Sequence, residues 1–340
     1  MLIGPEGVGK TALALAVANA ALSAHTWPGG LAAHPDVWIE DSDAERIPLA
    51  RVRYRGRGGD GELSLQDFLS MRPYAGGDRV AVIGRADRLT EEAANCLLKT
   101  IEEPPPATHL ILTTAFVERL PATIVSRCQT YSCAPVTASV ISEWLGTTHG
   151  ISDGLASSAA ALSSGRPGRA LRLATEPGML DAEVAAIDAF IAIAGTGTAG
   201  ALRAAGALAP AQGGEGRERA LAQIAAWTSF IRDVACVANC AIELPVWRAY
   251  HTVIEHWARV LPAERVTGML GRLVESTEQV TQYAAPRLTY EVLFLDLFAT
   301  APAPPPAAAA DDAREAMPAG PAAAPERVAK PRQAAAKRRR

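Results

Sequence analysis

Eight residues near the start, Gly4-Pro5-Glu6-Gly7-Val8-Gly9-Lys10-Thr11, constrain the fold more than any other stretch. They match G-x-x-x-x-G-K-[ST] at every position and stand between apolar Leu2-Ile3 and the Ala-rich run from Thr11 to Leu22. A strand feeding such a loop and then a helix is a βα unit, and βα units assemble into a parallel sheet flanked by helices. The glycines let backbone N–H groups converge on phosphate oxygens, Lys10 meets the β/γ-phosphates, and Thr11 can ligate Mg²⁺. The same loop can also keep its shape without binding. Only three residues precede Gly4, fewer than a central strand usually has, which reads as a fragment or a late start.

The pattern continues to about Ala134. Val80-Ala81-Val82-Ile83 is apolar throughout, as a strand buried on both faces requires. Thr90 can cap a helix whose first turn holds Glu91 and Glu92, where the helix dipole favours acids. Ala93, Leu97 and Ile101 give that helix a buried stripe, and Pro104-Pro105 stops it. His109 to Thr113 is a further strand. From Val136 the pattern turns helical, with short helices predicted at Ser139–Leu145, Ser152–Leu162 and Gly168–Leu173. A larger helical region runs to about Phe298, broken at Gly213-Gly214-Glu215-Gly216. Residues 301–340 are Ala/Pro-rich with almost no large apolar side chain, so disorder is expected there. The division is therefore 1–135, 136–178, 179–300 and a tail, 301–340.

Charge excludes one class of function. The tail holds eight Lys/Arg against four Asp/Glu, which leaves about minus seven on the rest of a chain whose total is −3. A body that acidic is not a stand-alone binder of duplex DNA, whose affinity comes mainly from phosphate neutralisation. The basic end, Lys337-Arg338-Arg339-Arg340, could serve a DNA-binding adaptor, though a solvated tail is the simpler reading. No apolar run reaches the roughly 20 residues of a membrane span, and no export signal is evident. The five scattered cysteines read as reduced thiols of a cytoplasmic protein. Cys236 and Cys240 share a helical face without further ligands, and His251 to His256 carries one residue too many for a zinc-hydrolase motif.

Hydrolysis needs two acids after the apolar strand, one for Mg²⁺ and one to activate water. Here Ile83 is followed by Gly84-Arg85-Ala86-Asp87. Gly84 offers no ligand and Arg85 no base, while Asp87 reads as the start of the turn before Thr90. Arg127 is the other candidate. A guanidinium stabilises charge developing in phosphoryl transfer and can be supplied by a neighbour.

Two blocks carry a resemblance: Ala93-Ala94-Asn95-Cys96-Leu97-Leu98-Lys99-Thr100-Ile101-Glu102-Glu103-Pro104-Pro105, and Leu120-Pro121-Ala122-Thr123-Ile124-Val125-Ser126-Arg127-Cys128. They resemble bacterial clamp loaders of the AAA+ class, and more narrowly the delta-prime branch of DNA polymerase III. The likeness is high from Met1 to Val136, recognisable at Ser164 to Leu171, faint at Ala285 to Glu291 and absent in the tail. It implies a RecA-like AAA+ domain, a small helical lid and an all-α collar. It implies that Gly4, Gly7, Gly9, Lys10 and Thr11 form the phosphate loop, with Thr114 at or near sensor one and Arg169 at sensor two. Arg127 matches the arginine finger, acting in trans. The implied partners are the gamma/tau and delta subunits, a sliding clamp and primed DNA, with no membrane. ATP or ADP with Mg²⁺ is the implied cofactor. The family's four-cysteine zinc module has no counterpart before His34-Pro35-Asp36, so zinc is not expected. The missing acids at Gly84-Arg85 favour delta-prime over an active gamma/tau-like motor, which stays the alternative.

Overall fold

The computed structural model describes residues 1–22, 30–42, 44–53, 63–74, 77–239, 246–282 and 284–298. These fall into two compact units, one of residues 1–148 with 163–171, the other of residues 149–162 with the chain from Arg172 onward. The predicted tail at 301–340, and Cys240, lie outside the described residues.

The first unit begins with β1 (Leu2–Ile3), α1 (Lys10–Ala21), β2 (Val37–Glu40), α2 (Leu49–Val52) and α3 (Leu65–Ser70). It continues with β3 (Arg79–Ile83), α4 (Glu91–Glu102), β4 (Thr108–Thr114), α5 (Ala122–Val125), β5 (Tyr131–Ser132) and α6 (Ala138–His149, which leaves the unit after Thr148). All strand pairs are parallel, in the order β2-β3-β4-β1-β5. Every residue of β3 is buried. Val80 and Val82 pack with Ala14 and Ala18 of α1, whereas Ala81 and Ile83 pack with Leu65, Phe68, Ala93 and Leu97 on the other face. Alternation along one strand thus produces a sheet covered on both sides, an α/β fold of the expected class. The Thr90 hydroxyl caps α4 by accepting from Ala93 N at 3.3 Å. Neither β2 nor β5 was predicted, and α6 runs four residues beyond the expected Leu145.

Helices α7 (Asp153–Leu162), α8 (Pro167–Thr175), α9 (Met179–Ile193), α10 (Gly197–Leu208) and α11 (Gly214–Ala238) follow. Then come α12 (His251–Val260), α13 (Ala263–Thr281) and α14 (Pro286–Phe298). Residues 136–178, read from sequence as a lid, are shared between the units, with 149–162 and 172–178 assigned to the second. That unit is built around α11, which packs on α9, α12, α13 and α14. Length and composition alone would let α11 cross a membrane. Instead its Ile224, Trp227, Phe230 and Ile231 are buried in an aromatic core with Phe190, Trp257, Phe294 and Phe298. Two of the buried polar groups find partners here: Trp227 Nε1 donates to Ala186 O at 2.9 Å, and Asp233 accepts from Trp247 N at 2.8 Å. Burial pushes the Asp233 carboxyl above its ordinary range against the pull of the Trp247 bond and the neighbouring Arg232 charge.

The predicted break is present between α10 and α11, but it ends at Gly213 rather than Gly216. Gly213, at φ 122°, is the N-cap, and Gly214 and Gly216 already belong to α11. Glycine is required at 216 because a Cβ there would lie 1.7 Å from Ala211 O. The His251 run is a helix face, with His251 and Glu255 3.4 Å apart and exposed.

Candidate functional site

The phosphate loop leaves β1 at the carboxyl end of the sheet, where β1 lies between β4 and β5, the place where α/β sheets bind ligands. Gly4 N donates to Thr114 O at 3.2 Å, and a Cβ on Gly4 would meet Cys133 O at 2.4 Å. Gly7 and Gly9 have φ of 78° and 106°, a region that side chains disfavour. Gly9 precedes α1, whose first turn has no acidic residue and no side-chain cap, so its N–H groups and dipole can face an anion. Thr11 is half-buried in that first turn.

Lys10 is buried, and its ammonium donates to Gly4 O at 2.7 Å and Pro5 O at 2.9 Å. Burial lowers its pKa, while the fields of Glu6, Cys133 and Asp87 act the other way. The start of α8 closes on the same loop. Ser164 and Gly165 turn the chain with φ of 54° and 76°, and Gly168 N then donates to Gly7 O at 2.8 Å. A Cβ on Gly7 would lie 3.3 Å from Arg169 N, so Arg169 sits on the phosphate loop across more than 150 residues of sequence. Thr114, fully buried at the end of β4, donates from Oγ1 to Asp87 Oδ1 at 2.6 Å and accepts from Phe116 N at 3.0 Å.

Of two carboxylates near this end of the sheet, Asp41 escaped sequence reasoning and Asp87 was read only as the start of a turn. Asp87 belongs to a short 3-10 helix, Ala86–Arg88; beyond starting a turn, it binds Thr114 and acts electrostatically on Lys10. Asp41 follows β2 and fills the space over Gly84, where a Cβ would come within 2.2 Å of Asp41 Oδ1 and 2.8 Å of its Cγ. Arg85, at φ 49°, turns its guanidinium toward Asp41, with Nε 3.8 Å from Oδ1. The only available signal was the acidic residue type; its placement depended on which strands paired. Gly84→Asp, which restores an acid by sequence, is therefore expected to lower stability by about 1–3 kcal/mol through overpacking and like charge. Chemical denaturation of the purified variant checks this, and an unchanged midpoint would show that Asp41 swings aside freely.

Gly4, Gly7, Gly9, Lys10, Thr114 and Arg169 thus come together at one loop, and Arg127 is bonded to none of them. Arg127 follows α5, whose Ile124 is buried in the core. Its side chain is 40% exposed, with Nε 2.6 Å from Glu102 Oε1 and Nη1 donating to Thr123 O at 3.0 Å. It borders an open, largely apolar groove of about 800 Å³ lined also by Leu13, Val17, Ile111 and Tyr131, and by none of the glycines or Lys10 of the loop. Among the described residues no three His, Cys, Asp or Glu side chains gather in a metal-binding arrangement. His34 is buried, its Nδ1 accepting from Asp36 N at 3.1 Å.

Comparison with known proteins places the first unit. Residues 1–137 match the family described as DNA polymerase III, delta subunit. The delta' subunit of DNA polymerase III from Escherichia coli (strain K12) is 39% identical over 116 residues, covering 34% of this chain and 35% of that protein. The delta' subunit of Haemophilus influenzae is 33% identical over 128 residues, 38% of this chain and 39% of the other. The chain thus spans well under half the length of these relatives. A DNA polymerase III gamma subunit-related protein from Thermotoga maritima superposes with a TM-score of 0.43 at 16% identity, covering 87% of this chain and 93% of that one. Over residues 1–137, then, the chain is similar to the family described as DNA polymerase III, delta subunit, and over about a third of its length to delta' subunits of DNA polymerase III.

Proposed function

We propose that the chain is a delta-prime-type clamp-loader subunit that helps place a sliding clamp on primed DNA in the cytoplasm. It hydrolyses no ATP itself and presents Arg127 to the nucleotide of a neighbouring gamma/tau-like ATPase, with delta completing the loader. The 1–135 domain carries the phosphate loop, 136–178 serves as lid and 179–300 as collar. ATP or ADP with Mg²⁺ is the nucleotide ligand, held by Gly7, Gly9, Lys10 and Thr11 with Thr114 and Arg169 beside it. No structural zinc is needed.

The observation that carries the reading is the contrast between the two ends of the first unit. The hydrolytic position is filled by Gly84 and Arg85, with Asp41 packed over them. Arg127 is held outward on a separate element. A site without a water-activating base and a guanidinium bonded to no phosphate loop of its own fit a subunit that acts in trans.

A second reading, an active ATPase of the gamma/tau kind, draws on Asp87. That carboxylate is bonded to Thr114 and lies in the field of Lys10, so the loop is not without an acid. Phosphate release by the purified chain separates the two. Background turnover is expected; turnover that disappears in both Lys10→Ala and Asp87→Asn would establish the second reading instead.

A further inference from the structure

Helix α4 ends in two carboxylates, Glu102 and Glu103. Free backbone carbonyls and the negative pole of the dipole gather at a helix C-terminus, so acids there are disfavoured unless compensated. Pro104-Pro105 follow at once and prevent the helix from running on. A local rule broken at a fixed point invites a search for the compensating group. That group is Arg127, whose Nε meets Glu102 Oε1 at 2.6 Å.

The bond is mounted on rigid supports at both ends. Ala93, Ala94 and Leu97 bury α4 in the core, and Ile124 buries α5 in the same core. Arg127 is held at two points, Glu102 through Nε and Thr123 O through Nη1. A guanidinium has five N–H groups. One is used on Thr123 O, the ion pair with Glu102 is made at the Nε edge, and the N–H groups of Nη2 make no hydrogen bond among the described residues. They form the fork that recognises phosphate oxygens.

We propose that Glu102 is a positioning residue, holding Arg127 so that this free fork faces a phosphate on the adjoining subunit. The proposal rests on the arginine-finger reading given above. An arginine on an exposed turn loses several rotamers when it engages phosphate, and a fork fixed beforehand loses fewer. An ion pair this exposed contributes little to folding, so its effect belongs in the rate.

The test uses the loader reconstituted with its ATPase subunits, with clamp- and DNA-stimulated ATP hydrolysis measured over a range of ATP. Glu102→Gln keeps size and an acceptor but removes the charge. It is expected to lower kcat about 2- to 5-fold with KM for ATP unchanged, the range that an exposed ion pair allows. The unfolding midpoint should not move, Glu102→Asp should recover part of the rate, and Glu102→Gln should add nothing in an Arg127→Ala background. A wild-type rate for Glu102→Gln beside a defective Arg127→Ala overturns the proposal and leaves the finger reading standing. A loss that persists in the Arg127→Ala background shows a merely structural role and overturns it as well. A faster Glu102→Gln means that the carboxylate restrains Arg127 unproductively, which also overturns it. Wild-type activity of Arg127→Ala removes the finger reading and the proposal together.

Discussion

Arg127→Ala is expected to leave folding and subunit assembly intact and to cut ATP hydrolysis at the one site the subunit serves by about 10³–10⁵. The side chain is exposed and, among the described residues, bonded only to Glu102 and Thr123, so the folded unit loses one surface ion pair and one hydrogen bond to a carbonyl. Exposed pairs are worth about 0–1 kcal/mol, too little to unfold a domain. The effect of the guanidinium is concentrated at transfer, when charge develops on the γ-phosphoryl oxygens, so it should appear in rate rather than in affinity. Steady-state turnover of a ring with several sites would fall only partially, and single-turnover measurement should expose the full loss. Lys10→Ala should change little in the same assay. The opposite pattern, with Arg127→Ala normal and Lys10→Ala inactive, would make this chain the motor.

Phe190→Ala is expected to destabilise the second unit by about 3–5 kcal/mol, a large share of the about 5–15 kcal/mol typical of a domain. Phe190 is fully buried, stacks on Trp227 at 5.4 Å between centroids, and meets Phe230, Trp257, Phe294 and Phe298 at 5.2–6.5 Å. Truncation removes those contacts and leaves a cavity that rings on three helices cannot close without shifting. Leu288, 62% exposed on α14, is the control, and its alanine variant should stay within about 0.5 kcal/mol. Chemical denaturation followed by tryptophan fluorescence reads both, since Trp227, Trp247 and Trp257 all lie in this core. Equal midpoints for the two variants would show that the aromatic cluster is not what holds the unit.

The legible parts of the fold share one property: their causes lie within a turn or two of sequence. The Gly4–Thr11 loop, the Thr90 cap, the stop at Pro104-Pro105 and the apolar run Val80–Ile83 of β3 each follow from steric, hydrogen-bonding or burial rules acting on neighbours. The short strands β2 and β5 were invisible for the complementary reason. β5 has two residues, both exposed, and only its pairing with β1, about 130 positions away, makes it a strand. The glycine run misled only at its end: Gly213 closes the break before α11, whereas Gly216 lies inside the helix, where it lets the Ala211 backbone approach.

The candidate site divides in the same way. Sequence by itself determined the phosphate loop, the absence of acids at 84 and 85, and the exposed turn that carries Arg127, because each is a matter of residue type at a fixed spacing. Tertiary structure alone decided that Asp41 fills the space over Gly84, that Asp87 bonds to Thr114, that the start of α8 closes on Gly7, and that Glu102 holds Arg127. Those partners are separated by 25 to 161 positions, and their meeting depends on which strands pair and in what register. A one-residue change of register turns every side chain of a strand to the other face. No local rule encodes that choice; it is made when the sheet closes and both of its faces are buried together.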